Sequence, residues 1–306
     1  MELHSRDLDT LHNLAIEAAR TAGNLIQSKV GEHRETNTKE GGNTLASQVV
    51  TEVDLESEHL ILETLRPATE RYDLGVLTEE QEDDSSRLTK DYFWCIDPID
   101  GTLPFIESRP GYSVVIALVA RDGTPVIGVI LDPASDTLFH ASTGSGAMKS
   151  GVLLPPAAAL PDRPLSWMMD RSMKSIENYR GLVEEMEIFA ARSGYPGLEI
   201  IDHAGAALNA SWVTESHPAV YFKFPKKENG GGSLWDFAAS ACLIREWETS
   251  QTGHSPSDIF GNPLRLNPEG STFMNEGGVL YASSPELAQA VTELYFRFSG
   301  GRPTVR

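Results

Sequence analysis

Cysteine is nearly absent: the 306 residues include two, Cys95 and Cys242. They form at most one bridge and match no zinc-ligand spacing, which excludes a disulfide scaffold and a structural zinc site. Two buried free thiols in a reducing compartment are expected instead. Long apolar runs are also missing. The longest, around Val114–Ala120 and Val126–Leu131, fall far short of the roughly 20 residues that cross a bilayer. The opening Met-Glu-Leu-His-Ser-Arg-Asp lacks the basic start and apolar core of a secretion signal, so a cytoplasmic chain is expected. Positive charge is scarce, with 25 Lys and Arg against 44 Asp and Glu and a formal net charge of −19. That balance argues against a nucleic-acid polymer or a membrane as a large-surface partner, while leaving room for a local basic pocket. No internal repeat occurs. What remains is ordinary for a globular chain, 40% hydrophobic and 23% charged, and its length suits two domains.

Leu8, Leu11, Ala15, Ala18, Ala22, Leu25 and Ile26 recur at helical spacing and predict an opening helix. From His33 to Ala46 the chain turns polar and glycine-containing, as a loop or hairpin does. A second helix is expected over Leu55–Leu65, ended by Arg66-Pro67, followed by an acidic loop over Thr78–Ser86. Strands are expected at Tyr92–Ile96, stopping at Asp97-Pro98, and at Thr137–Ala141. Ser113–Ala120 and Pro125–Leu131 flank Arg-Asp-Gly-Thr and read as a hairpin. Gly146–Pro164, the one proline-rich stretch, divides residues 1–150, with Asp54, Glu79 and Asp97–Thr102, from residues 151–306, with Asp236. Further helices are expected near Ile176–Ser193, at Ala204–Val213, from Trp235-Asp236 and after Ser284-Pro285-Glu286, with a strand at Ala219–Phe224. Helices and strands mixed in both halves predict an α/β (α+β) fold, two α/β layers side by side.

The chemically informative segment is Trp94-Cys-Ile-Asp97-Pro-Ile-Asp100-Gly-Thr102. Asp97 and Asp100 stand three apart across a stiffening proline, a spacing able to aim two carboxylates and the Ile99 carbonyl at one point. Oxygen-only ligands suit a hard cation, Mg²⁺ before Zn²⁺. Gly101 and Thr102 then offer backbone N–H groups at a helix start, where a phosphate oxygen can be held. A metal pair beside an anion cradle is equipment for phosphoryl hydrolysis. On local pattern alone, Asp-x-x-Asp-Gly is usually a capped turn. Asp54 and Asp236 also fit plain N-caps, and Trp235 an ordinary core aromatic. Glu79-Glu80 also fit the neighbouring run Glu82-Asp83-Asp84, which reads as solvated charge.

In order, Thr51-Glu-Val-Asp54, Glu79-Glu80, Asp97-Pro-Ile-Asp-Gly-Thr102 and Trp235-Asp236 resemble the motifs of the inositol monophosphatase superfamily of Mg²⁺-dependent, lithium-sensitive phosphatases. The likeness extends through Phe105, both hairpin strands and Gly205-Ala-Ala-Leu-Asn209, over roughly residues 10 to 290. It implies a layered αβαβα fold, two mixed sheets sandwiched by helix layers, and a homodimer. It also implies two or three Mg²⁺ held by Glu79, Asp97, the Ile99 carbonyl, Asp100 and Asp236. Thr102 paired with Asp54 would activate water, Glu79 would share in catalysis, and a small phosphorylated metabolite would meet Gly101, Thr102, Gly205, Ala206, Ala207 and Lys223. Two departures stand out. Glu248-Thr249 occupies the place of a family Gly-Gly, which predicts altered packing and not a dead site. Lys223, in Val220-Tyr-Phe-Lys223, stands where inositol monophosphatases tend to carry a Glu that binds substrate hydroxyls. A cation there favours a second anionic group, so the expected activity is that of a 3′(2′),5′-bisphosphate nucleotidase. Gly205-Ala-Ala-Leu-Asn209 favours the alternative, inositol-1-monophosphatase, and a non-catalytic binding protein of the same fold is the reading from another class.

Overall fold

The computed structural model describes residues 3–30, 36–38, 49–156, 162–248 and 256–299. Helix α1 (Ser5–Lys29) buries Leu11, Ala15, Ala18, Ala22 and Ile26, the stripe expected from helical spacing. β1 (Thr36–Thr38) and β2 (Val49–Thr51) pair antiparallel, and most of the polar segment 33–46 lies outside the described residues. Helix α2 (Glu52–Arg71) does not stop at Pro67 but runs through it. Its apolar stripe continues past the proline, with Ala68 and Tyr72 buried and the Tyr72 hydroxyl donating to Asp7 at 2.9 Å. Burying the Tyr72 ring and the Ala68 methyl, at about 25 cal/mol per Å² of apolar surface, offsets the roughly 3 kcal/mol that an interior proline costs.

The first sheet runs β3 (Gly75–Thr78), β4 (Tyr92–Asp100), β5 (Ser113–Ala120), β6 (Pro125–Asp132), β7 (Thr137–Ser142), β8 (Ala147–Lys149) and β9 (Val152–Leu153) in spatial order. Only the β3–β4 pair is parallel. Short helices α3 (Ser86–Thr89) and α4 (Thr102–Ile106) flank β4. In the acidic loop, Asp83 is not solvated charge: it pairs at 2.7 Å with Arg87, which is 2% exposed. Arg87 also donates to the Pro268 carbonyl at 2.8 Å, so the loop is tied to the second half of the chain.

The second sheet has the order β11 (Leu198–Ile201), β10 (Leu165–Met168), β12 (Ala219–Lys223), β13 (Val279–Ala282), parallel except for β13. Its helices are α5 (Tyr179–Arg192), α6 (Ala206–Trp212), α7 (Leu234–Glu248) and α8 (Pro285–Ser299), the last with Ser284 Oγ accepting from the Leu287 amide at 3.3 Å. Thr249 lies outside the described residues.

Period-two alternation sorts the side chains into layers. Val114, Ile116 and Leu118 of β5 join α1 and α2, while Val115, Ala117 and Val119 face Leu208, Phe237 and Leu243 of α6 and α7. The other face of that middle layer meets Ala219, Tyr221 and Tyr281 of the second sheet. On the far side, Trp167, Val220 and Phe222 pack against Leu182, Met186, Leu287 and Val291 of α5 and α8. The result is the layered αβαβα fold, stacked rather than side by side. Cys95 and Cys242 are buried free thiols, and among the described residues no helix is long and apolar enough to cross a membrane.

Candidate metal centre

In a regular strand, residues three apart face opposite sides, so Asp97 and Asp100 would diverge. The β4–β5 register prevents this: Asp97 lies opposite Val115 and Asp100 opposite Ser113, so β4 holds one more residue than its partner. That bulge restores both carboxylates to one side. Pro98, which has no N–H for a ladder, is its sequence marker. The strand therefore does not end at Asp97 but continues, bulged, to Asp100. Asp236, in the first turn of α7, completes a group in which one carboxylate oxygen from each of Asp97, Asp100 and Asp236 lies within 4.8 Å of the others.

The turn anticipated as an alternative is present at Asp97, whereas Asp236 stands inside α7 and not at its N-cap, and both arrangements help aim these side chains. Asp97 Oδ1 accepts the Ile99 amide at 3.0 Å, and Asp236 Oδ2 accepts the Ser233 amide at 2.5 Å, reaching back across the helix start. Asp100 is clamped by the amides of Ala206 and Ala207, at 2.9 and 2.8 Å, from the first turn of α6. Gly205, just before them, is required: a Cβ there would meet Asp100 Oδ2 at 2.5 Å, and its own N–H donates to the Gly111 carbonyl at 2.8 Å. The Gly205-Ala-Ala segment, expected to contact substrate, thus holds Asp100 directly. Gly101 adopts φ 86°, and Thr102, 9% exposed, donates its hydroxyl to the Ile99 carbonyl at 3.2 Å.

Glu79 follows β3, its amide donating to the Ile96 carbonyl at 3.2 Å. Asp54 is buried in the first turn of α2, inside the helix rather than at its N-cap. Burial, then the charges of Glu79, Asp100, Asp236 and Asp54, hold the Asp97 carboxyl well above the usual carboxylate range. Asp100 is pushed up to about 8, by burial first and then by Asp236, against the pull of its two amides. Asp236 is raised by burial, opposed by Lys223 and the Ser233 amide. Carboxylates crowded this closely resist ionisation unless a cation joins them. An all-oxygen, buried donor set fits a hard divalent ion such as Mg²⁺.

Lys223 ends β12 beside this group, its Nζ 2.5 Å from Asp170 Oδ2, with side chains 12% and 20% exposed, and 5.2 Å from the Phe237 ring centroid. Burial alone would lower its pKa, but the charges of Asp170, Asp236 and Asp100 outweigh it and hold the ammonium above the ordinary lysine value. The sequence reading missed Asp170, a lone acid outside any motif. Lys226 and Lys227 are exposed.

The model of the inositol monophosphatase family matches residues 7–295. Nus factor SuhB of Escherichia coli K12 is 28% identical over 285 residues, covering 91% of this chain and 93% of that protein. Inositol-1-monophosphatase of a Synechocystis strain is 29% identical over 247 residues, covering 78% and 77%. An IMPase structure from Thermotoga maritima aligns with a TM-score of 0.70 at 21% identity, covering 93% and 98%. SaIMPase-II with bound inositol monophosphate aligns with a TM-score of 0.66 at 21% identity, covering 94% and 95%, and the same protein is also seen with 2′AMP. These structures share the fold described above.

Proposed function

The chain belongs to the inositol monophosphatase family, and on that premise we propose that it is a Mg²⁺-dependent phosphomonoesterase acting on inositol monophosphate. The observation that carries this reading is the convergence of Asp97, Asp100 and Asp236 within 4.8 Å, in a pocket of charge that calls for a cation. Glu79, Asp97, the Ile99 carbonyl, Asp100 and Asp236 would hold two or three ions. Bound there, Mg²⁺ supplies positive charge for the phosphoryl oxygens and acidifies a water. The chain's own groups do the positioning. The Thr102 hydroxyl, beside the Ile99 carbonyl, with Asp54, orients the attacking water. The Gly101 and Thr102 amides at the start of α4 hold a phosphate oxygen. Burial of Asp97 and Asp100 excludes bulk water and strengthens each of these interactions.

Support for substrate class shifts away from the bisphosphate nucleotidase expected from Lys223. That expectation needs an uncommitted cation, whereas the Lys223 ammonium is paired with Asp170. The relatives named above are SuhB and inositol monophosphatases. The name Nus factor, carried by SuhB, favours a second reading, a regulatory protein on the same fold. Phosphate release from inositol 1-phosphate and from adenosine 3′,5′-bisphosphate, each with Mg²⁺ and with excess chelator, separates the readings. Mg²⁺-dependent release with the inositol ester preferred is expected. No release from any ester would leave the regulatory reading.

A further inference from the structure

We propose that Asp170 is the residue that reads the hydroxyl groups of the substrate's leaving group, with Lys223, its ion-pair partner, as the donor beside it. The inference rests on the phosphomonoesterase reading and deepens it. β10 and β12 are parallel neighbours, Met168 opposite Tyr221, so Asp170, two residues past β10, and Lys223, the last residue of β12, emerge together at the carboxyl ends of the strands. In open α/β sheets that edge is where ligands bind. Here the same edge meets α6 and α7, whose first turns clamp Asp100 and carry Asp236. Asp170 is close enough for its charge to act on both of those carboxylates.

The Asp170 side chain is held from three directions and remains 20% exposed. Oδ1 accepts the Tyr221 hydroxyl at 2.8 Å and stands 3.5 Å from Asn209 Nδ2, while Oδ2 accepts Lys223 Nζ at 2.5 Å. A carboxylate has about four lone-pair sites, so capacity remains for a ligand donor. The pair presents a fixed acceptor beside a fixed donor with no net charge. A second phosphate gains little there, because the Asp170 carboxylate repels what Lys223 attracts. Adjacent ring hydroxyls suit it, since one can donate to Asp170 while its neighbour accepts from Lys223. The chemistry selected is therefore a phosphate ester of a neutral polyol carrying vicinal hydroxyls.

The test compares inositol 1-phosphate with phenyl phosphate, which has a ring of similar width and no hydroxyls. Asp170→Asn should lower kcat/KM on the inositol ester about 10- to 100-fold more than on phenyl phosphate, mostly through KM. Because Asp170→Asn leaves Lys223 buried without its partner, the double variant Asp170→Asn with Lys223→Met is measured alongside and should lose the same discrimination. Equal losses on both esters, or an unchanged inositol KM, would overturn the assignment and leave the phosphatase reading standing. Were the wild-type protein to hydrolyse neither ester, that reading would fail by itself. Calorimetric titration of inositol 1-phosphate in Mg²⁺ would then decide: tenfold weaker binding to Asp170→Asn upholds Asp170, and equal or absent binding overturns it.

Discussion

Thr102 is a residue at which a packing role and a chemical role separate cleanly. It is 9% exposed, and its hydroxyl donates to the Ile99 carbonyl at 3.2 Å. If that bond served only the turn, Thr102→Ala would cost stability and nothing else. Because orienting water is its assigned task, Thr102→Ala should lower kcat by about 10²-fold or more, leave the Mg²⁺ half-saturation nearly unchanged, and be rescued by Thr102→Ser. A parallel fall of kcat and Mg²⁺ affinity would show that the Ile99 carbonyl, not water, was the group disturbed. Residue-scale legibility follows from how locally each side chain is fixed. Asp97 and Asp236 are aimed by bonds to Ile99 and Ser233, close by in the chain, so short motifs carry them, whereas Asp100, clamped from the distant Gly205-Ala-Ala turn, is legible only because it shares the Asp97 motif. Asp170 has no such local signature. It acquires meaning only when β10 pairs with β12 and brings Tyr221 and Lys223 to it.

Two element contacts govern whether the site is assembled. Gly128 of β6 lets α7 approach: a Cβ there would meet the Ala239 carbonyl at 2.3 Å and Cys242 Cβ at 2.9 Å. Gly128→Ala should therefore destabilise by about 1–3 kcal/mol. Since Ala239 lies one turn from Asp236, it should weaken Mg²⁺ binding as well. Thermal melts read the first effect and Mg²⁺ titration of turnover the second; a loss of stability alone would mean that α7 shifts as a whole without disturbing Asp236. On the opposite face, α1 meets β7 through His12 and His140, with ring nitrogens 3.1 Å apart. Burial, then the charge of His140, lowers His12 to about 4 from its ordinary 6.5. Between those values the unfolded chain binds a proton that the folded chain refuses, so stability is full above pH about 6.5 and falls as pH drops toward about 4. His12→Gln should flatten that slope in melts across the window. Long elements such as α1 and β5 were legible because their periodicity repeats several times. β3, β10, β11 and β13 span four residues each, too few for period two to register. Pro67 misled because core contacts beyond it carry the helix onward.

At the scale of the whole molecule, the candidate ligands are contributed by segments far apart in the chain, β4 of the first sheet and α7 of the middle layer, with Glu79 at the end of β3. The unfolded chain cannot reproduce that arrangement, so an ion that binds it binds the folded state alone, and affinity becomes stability. The net charge of −19 adds a general attraction for cations, which any salt would satisfy, whereas the proposed centre at the buried cluster would take a small divalent ion. These two contributions are separable. At constant ionic strength, Mg²⁺ should raise Tm steadily with the logarithm of its concentration, the stabilisation reaching about 2.7 kcal/mol at 100 times Kd. Asp236→Asn relieves part of the carboxylate repulsion and removes a ligand charge, so its metal-free Tm should equal or exceed that of the wild type while its response to Mg²⁺ largely disappears. Sodium chloride at matched ionic strength should shift both proteins alike. An equal Mg²⁺ response from the two would assign the stabilisation to surface charge and remove Asp236 from the metal centre.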